Sequence, residues 1–434
     1  MTAVTKALAR TRLLVQRDIY PNASDTEVID ALVGIRVRLS ADSVNLASPA
    51  GRTALVGAFV LIAELGCEIW LDVPSMDVID QPPLRLGDLR TALLELGRDL
   101  ITPARIGVNQ PADLGIVLGD TVIRVEDRRT LRISGDDFSA HLTDEHSAAP
   151  PWVGTFPFGA LLAASAAAAE AFKEAMHELG AHRGEAPLVA HALPHPQPFV
   201  LALPPLEPVG GAIPLGAIDV VSAGAITSGA LFTLMRLPEA RGALRVFDDD
   251  RLARSNLNRY PLARANQISE LKVHALERLS TDHLRITGYA HRLDEASAQR
   301  IGLLSDRVIV GVDHVPSRWV AQRHAPGWVT VGATSHFEIL VSGHPAGQPC
   351  AGCLHPRDDD DAGDIPTVSF VSALAGVLLA YRVTARSLAA EDRSSTSTLA
   401  APLNLAGKHP FVTLPVAAHP DCPVAHSAGV ATAA

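Results

Sequence analysis

The polar residues with the types and spacing to do chemistry lie in the second half of the chain. Three aspartates, Asp248, Asp249 and Asp250, close a mostly apolar run from Ala243 to Phe247. The run Ser255-Asn256-Leu257-Asn258-Arg259 follows, then Lys272, and a later apolar run, Arg307 to Val312, ends at Asp313. Upstream, Ile218 to Val221 leads into the small residues Ser222 to Gly229, and a helical pattern, Ala230 to Arg236, comes next. Strand, tight turn, helix, strand, acid is the order of a nucleotide-binding βαβ unit. In such a unit the turn opens a helix, so backbone N–H groups around Gly224 and Ala225 can meet phosphate. Asp248, at the end of the second strand, suits ribose hydroxyls. Arg259 and Lys272 offer cations to the β- and γ-phosphates, with Asn256 a neutral donor nearby. The glycine pattern is incomplete: Ser222, Gly224 and Thr227 stand where G-x-G-x-x-G would be, and Thr227 adds a branched side chain where close approach is needed.

The acids, the letter-for-letter SNLNR and the downstream lysine resemble the signature of the ThiF/MoeB/HesA superfamily, the adenylating enzymes that include the ubiquitin-activating enzymes. The match is specific over about residues 216 to 426 and only architectural before that. The resemblance implies a Rossmann-like α/β fold. It also implies ATP-dependent adenylation of the C-terminal carboxylate of a small ubiquitin-like sulfur carrier or a peptide, with release of pyrophosphate. It assigns Asp248 and Asp250 to the Asp-x-Asp of the family and catalytic roles to Arg259, Lys272 and Asp313. Asp313 stands where the family's Mg²⁺ ligand does, followed by His314 and Arg318. Cys350 and Cys353 form a C-x-x-C that in the family pairs with a second one to hold structural zinc. Here only Cys422 remains of the second, Ala425 replaces its partner, and His426 or His419 would complete a Cys₃His set. Cys67, the remaining cysteine, falls in a buried-looking strand, so no thioester is expected on this chain. Members act as dimers in which an arginine from one N-terminal helix reaches the other ATP site; Arg10, Arg12 or Arg17 would serve here. The competing reading is a pseudoenzyme or scaffold whose degraded turn binds nucleotide without turnover.

The remaining chain must position these residues. With 434 residues and 47% hydrophobic content it can bury two sizeable cores. A net charge of −10 argues against a nucleic-acid partner. No apolar run reaches the roughly 18 residues of a membrane span, and the expected location is cytoplasmic. Residues 1–190 read as a degenerate α/β domain of similar order, with Thr53 to Leu65 a helix and Cys67 to Val73 a strand. Further strands are expected at Leu114 to Leu118, Val122 to Val125 and Leu131 to Ser134, and one helix over Ala3 to Gln16. Residues 191–214 are a Pro-rich, extended connector. Residues 215–426 are the adenylation domain, with Glu391 to Pro402 a polar linker, and 427–434 a frayed tail. Such a chain forms either a homodimer or a pseudo-dimer within itself.

Overall fold

The computed structural model describes residues 2–424 apart from 80, 85, 102–103, 190–191, 195–197, 207–211, 359–364, 390–392, 400–402, 404–406 and 409–410. The first half runs α1 (Ala3–Ala7), α2 (Ala9–Asp18), α3 (Asp25–Gly34), β1 (Arg36–Ser40), α4 (Pro49–Glu64), β2 (Glu68–Asp72), α5 (Leu89–Arg98) and β3 (Ala104–Ile106). It continues with β4 (Leu114–Leu118), β5 (Thr130–Gly135), β6 (Ser139–Asp144), α6 (Phe158–Arg183) and β7 (Phe199–Ala202). The second half runs β8 (Ile213–Val221), α7 (Ala225–Leu234), β9 (Ala240–Phe247), α8 (Lys272–Glu277), β10 (Leu284–Tyr289), α9 (Glu295–Ile301) and β11 (Arg307–Val310). Then come α10 (Val315–His324), β12 (Trp328–Ser335), β13 (Glu338–Pro345), α11 (Ala351–Leu354), α12 (Ser369–Leu388), β14 (Ser395–Leu399), β15 (Gly407–Lys408) and β16 (Val412–Pro415).

The strands form two sheets, ordered β15-β7-β6-β5-β4-β1-β2-β3 and β10-β9-β8-β11-β12-β13-β14-β16. In each, five neighbouring strands are parallel and the chain reverses its direction of travel across the sheet between the first strand and the fourth. Those reversals, β1/β4 and β8/β11, open crevices at the carboxyl ends of the strands, where ligands bind in doubly wound folds. The two halves therefore share one strand order, as expected from the sequence.

A single hydrophobic cluster extends from Leu8 to Leu403 and includes α4, α6, α7 and α12. These helices are apolar nearly all round, which fits helices covered on every side. Ser48 caps α4 by accepting from the Gly51 N–H at 3.0 Å, with Pro49 in the first turn. Helices α7 and α12 cross so closely that a Cβ on Gly376 would lie 2.5 Å from the Ala230 nitrogen. Only glycine permits that approach. Helix α12 is long and apolar enough to cross a membrane by length and composition, but 67% of its apolar stretch is buried inside the protein.

Several elements differ from the sequence-based expectation. The N-terminal helix breaks at Leu8, which is fully buried and packs beside Gly66. Val122 to Val125 is not a strand: β4 ends at Leu118, Gly119 follows with φ 54°, and Arg132 donates to the Gly119 and Thr121 carbonyls at 2.9 and 3.0 Å. Strand β6 was not legible, because Asp136 folds a turn by accepting from Phe138 and Ser139 at 2.8 and 2.7 Å. The Pro-rich connector contains β7, and the polar linker contains β14. In β14 the hydroxyls of Ser395 and Ser397 meet the Arg382 guanidinium at 3.1–3.2 Å, so a strand that looks solvated is bound on one face.

His344 on β13 makes stability pH-dependent. Its Nδ1 donates to the Pro349 carbonyl at 3.0 Å and its Nε2 shares a hydrogen bond of 2.9 Å with Ser342 Oγ. Burial lowers its pKa from 6.5 to about 4. The neutral ring's contribution is present above 6.5 and is lost as pH falls toward about 4. The expected acid penalty is about 3 kcal/mol by linkage. Melting curves across this range should be flatter for His344→Gln than for the parent; equal slopes would refute the assignment.

Candidate functional site

Val221 ends β8, and the chain turns at once. Ser222 has φ 87°, a left-handed conformation that a glycine would adopt without strain. Its Oγ accepts from the Gly224 N–H at 2.9 Å, which steadies the turn. The Thr227 side chain is fully buried and donates to the Gly224 carbonyl at 3.1 Å. A Cβ on Gly311 would lie 2.6 Å from Thr227 Cγ2, so Gly311 makes the room that Thr227 takes. The branched side chain is thus turned beneath the turn.

Asp248 Oδ2 accepts from the Ala223 N–H at 2.7 Å, and its Oδ1 accepts from the Asp250 N–H at 2.8 Å. Burial raises its pKa, and Lys272 opposes that shift. Lys272 Nζ donates to Asp250 Oδ2 at 2.7 Å and lies 3.9 Å from Asp248 Oδ1. Burial works against the lysine charge, but Tyr260, Asp248 and Asp250 outweigh it and hold the pKa above the usual lysine value.

The SNLNR run folds as a short 3-10 turn, Arg254–Asn256, closed by Asn256 Oδ1 accepting from the Ala253 N–H at 2.8 Å. Asn258 is fully buried and its Nδ2 donates to Thr11 Oγ1 of α2 at 2.8 Å. Arg259 donates to Asn258 Oδ1 at 2.7 Å and to the Ser255 carbonyl. The Tyr260 ring faces both cations, with Arg259 5.3 Å and Lys272 5.7 Å from its centroid. Sequence reasoning missed Tyr260 and the Asn258–Thr11 link. The tyrosine's place directly after the motif was the available signal; nothing local marks Thr11.

Beyond β11, Asp313 is exposed and accepts from the His314 N–H at 3.0 Å. Arg318 donates to the Val312 carbonyl at 2.8 and 3.1 Å. One cavity of ≈ 680 Å³ is lined by Gly224, Ala225, Asp248, Asp250, Asn256, Arg259, Lys272 and Asp313 together. Arg10 of α2 also lines it and donates to the Ile365 carbonyl at 3.3 Å. Arg12 pairs instead with Asp25, and Arg17 with Asp18 at 2.8 Å. His355 lines the same cleft, and burial with the Arg318 charge lowers its pKa to about 4.

Beyond β1 in the first sheet the chain carries Asn45 instead of a glycine turn. Asn45 is fully buried, and its Nδ2 lies 3.0–3.1 Å from acceptors on Asp42, Asp120 and Thr121. Its Oδ1 accepts from the Trp152 N–H at 3.0 Å.

The sulfurs of Cys350, Cys353 and Cys422 lie within 4.8 Å of one another, with Cys350 and Cys422 3.5 Å apart. A Cβ on Gly352 would come 3.0 Å from Cys422 Sγ, so the tight C-x-x-C turn needs this glycine. Three converging thiols not joined as a disulfide fit three corners of a tetrahedral zinc site. His426 and Ala425 lie outside the described residues. His419 Nδ1 accepts from the Asp421 N–H at 3.1 Å. Cys67 is fully buried, and burial pushes its thiol up to about 12, so it is no nucleophile.

The second sheet is doubly wound, and acidic and cationic side chains gather in the crevice at its switch point. Residues 217–424 match the ThiF family, and the C-terminal half is a ThiF-family domain with a Rossmann-like fold. A stretch of 152 residues is 32% identical to the uncharacterized protein y4jF of Sinorhizobium fredii (strain NBRC 101917 / NGR234), covering 34% of this chain. The chain spans 29% of that relative's length. Among solved structures, E. coli MccB is similar with TM-score 0.40 and 12% identity, over 50% of this chain and 67% of MccB. PaaA gives TM-score 0.35 and 14% identity, over 46% of this chain and 73% of PaaA.

Proposed function

We propose that the chain adenylates the C-terminal carboxylate of a peptide or of a small ubiquitin-like carrier protein, using ATP and releasing pyrophosphate. The observation that carries this reading is the convergence of the motif residues in one cleft within a ThiF-family domain. In the reaction a carboxylate oxygen bonds to the α-phosphorus as the bond to pyrophosphate breaks. No covalent enzyme intermediate is needed, so the protein's work is positioning and charge neutralisation. Asp248, beside Lys272, accepts from the ribose hydroxyls. The first turn of α7 offers N–H groups to phosphate. Arg259, Lys272 and Arg10 take up the charge that develops on the leaving pyrophosphate. Asp313 would hold Mg²⁺, which supplies further charge neutralisation at the phosphates. On this reading the first half is a pseudo-adenylation domain that lends Arg10, and each chain binds one nucleotide.

Labelled-pyrophosphate exchange into ATP, with Mg²⁺ and candidate carriers or peptides, tests the proposal. Exchange should appear and should vanish in Asp313→Ala. A second reading, nucleotide binding without turnover, is favoured by one contact: Ser222 Oγ already occupies the Gly224 N–H. ATP binding with no exchange for any carboxylate partner would select it.

Zinc at Cys350, Cys353 and Cys422, with His426 or His419 as fourth ligand, would tie the C-x-x-C to the end of the chain. Elemental analysis should find about one zinc per chain, falling severalfold in Cys353→Ser. Well under one equivalent in the parent protein would remove zinc from the account.

A further inference from the structure

We infer that Ser222 sets the affinity of the cleft for phosphate: its hydroxyl stands at the Gly224 N–H in place of a phosphate oxygen and must swing away before a nucleotide binds there. This rests on the reading of the cleft as a nucleotide site, and it holds whether or not the nucleotide turns over.

Ser222, Gly224 and Gly311 all line the cleft. Ser222 Oγ accepts from the Gly224 N–H at 2.9 Å and donates to the Gly311 carbonyl at 3.4 Å. The hydroxyl thus has both of its roles filled without a ligand. A Cβ on Gly224 would lie 2.9 Å from the same oxygen, so the oxygen stands hard against the residue a phosphate must approach. The Ser222 backbone is held at φ 87°, where a side chain is strained. Outliers of this kind persist where the surroundings over-determine them, and they cluster at ligand sites.

The hydroxyl steadies the turn but does not give it its shape. The Ser222 N–H donates to the Phe247 carbonyl at 2.9 Å, and the Ala223 N–H to Asp248 Oδ2 at 2.7 Å. On the other side, the Gly224 carbonyl accepts from the Ser228 N–H at 2.8 Å and from Thr227 Oγ1 at 3.1 Å. None of these bonds needs a side chain at position 222. Gly224 is the N-cap of α7, so its N–H lies at the positive end of that helix. The serine therefore covers a donor well placed for an anion. A neutral hydroxyl is a weaker acceptor than a phosphate oxygen. One rotation of the serine side chain to another staggered well frees the N–H. Phosphate can displace the hydroxyl, at the cost of about one ordinary hydrogen bond.

Calorimetric titration of the full chain, of Ser222→Ala and of Ser222→Gly with ATP, tripolyphosphate and adenosine tests this. Alanine keeps the strained backbone and removes the hydroxyl; glycine removes both. Each variant should bind ATP and tripolyphosphate about three- to tenfold more tightly than the parent. Adenosine has no phosphate to compete for the N–H, so its affinity should stay within about twofold. A serine that only braced the turn would give the opposite sign, because the loosened turn would bind ATP more weakly. The inference is overturned, with the nucleotide reading intact, if the parent binds ATP and neither variant binds it more tightly, or if adenosine gains as much as ATP. ATP binding absent from the parent and from both variants would remove the nucleotide reading and the inference together. ATP bound by the variants alone would be the expected result in its strongest form.

Discussion

Arg10→Ala is expected to lower pyrophosphate exchange by about 10³-fold, the scale of an arginine supplied to a phosphoryl-transfer centre. The expectation rests on which N-terminal arginine lines the cleft. Arg12 and Arg17 are held by Asp25 and Asp18. Arg10 lines the cleft of the second sheet and donates to the Ile365 carbonyl at 3.3 Å. Arg12→Ala and Arg17→Ala should therefore stay within about twofold of the parent, as surface ion pairs contribute little. ATP affinity should weaken only severalfold in Arg10→Ala, because the missing charge is needed most when pyrophosphate leaves. Arg10→Lys should recover part of the rate, restoring the charge but not the planar fork. Exchange in Arg10→Ala above a tenth of the parental rate would refute this role.

Lys272→Ala is expected to damage both stability and turnover. Lys272 and Asp248 are each almost wholly buried, and the lysine is the cation 3.9 Å from the Asp248 carboxylate. Removing one member of a buried pair strands the other, at a cost of about 3 kcal/mol. Burial already raises the Asp248 pKa above 3.8, and without Lys272 it rises further. A carboxyl with a raised folded pKa contributes stability below its unfolded pKa and loses it as pH rises through the folded value. The melting temperature of Lys272→Ala should thus fall more steeply from acid toward neutral pH than that of the parent. On the proposed reading exchange should drop by about 10² to 10³, since Lys272 would no longer meet phosphate and Asp248, the proposed ribose acceptor, would be protonated more readily. Adding Asp248→Asn should recover much of the stability and none of the activity. A double variant no more stable than Lys272→Ala would show that the buried charge was not the cause.

The site was more legible in the sequence than the frame around it. Asp248, SNLNR, Lys272 and Asp313 could be read because each follows a strand or turn whose apolar pattern is local. The structure brings them to one cleft because β8 and β11 are neighbours. What eluded the sequence depended on distant partners. Thr227 looked like an obstruction until Gly311, contributed by another part of the chain, was seen to make room for it. Choosing among Arg10, Arg12 and Arg17 required knowing which of them lines the cleft. Strand β14 looked like a linker because its apolar content is low, yet its serines are held by Arg382 from α12. Asn45 carried no signal at all: its role is visible only as hydrogen bonds to residues far along the chain.

The shared core of α4, α6, α7 and α12 has a consequence for encounter. Two separate polypeptides that complete each other's site must first meet, and dilution pulls them apart. Here α2 is fastened to the SNLNR loop through Thr11 and Asn258, inside one continuous core. Its effective concentration at the cleft is set by the fold and not by expression level. The two sheets are thereby held in a fixed one-to-one ratio, and each is free to diverge in sequence as long as the helices between them still interlock.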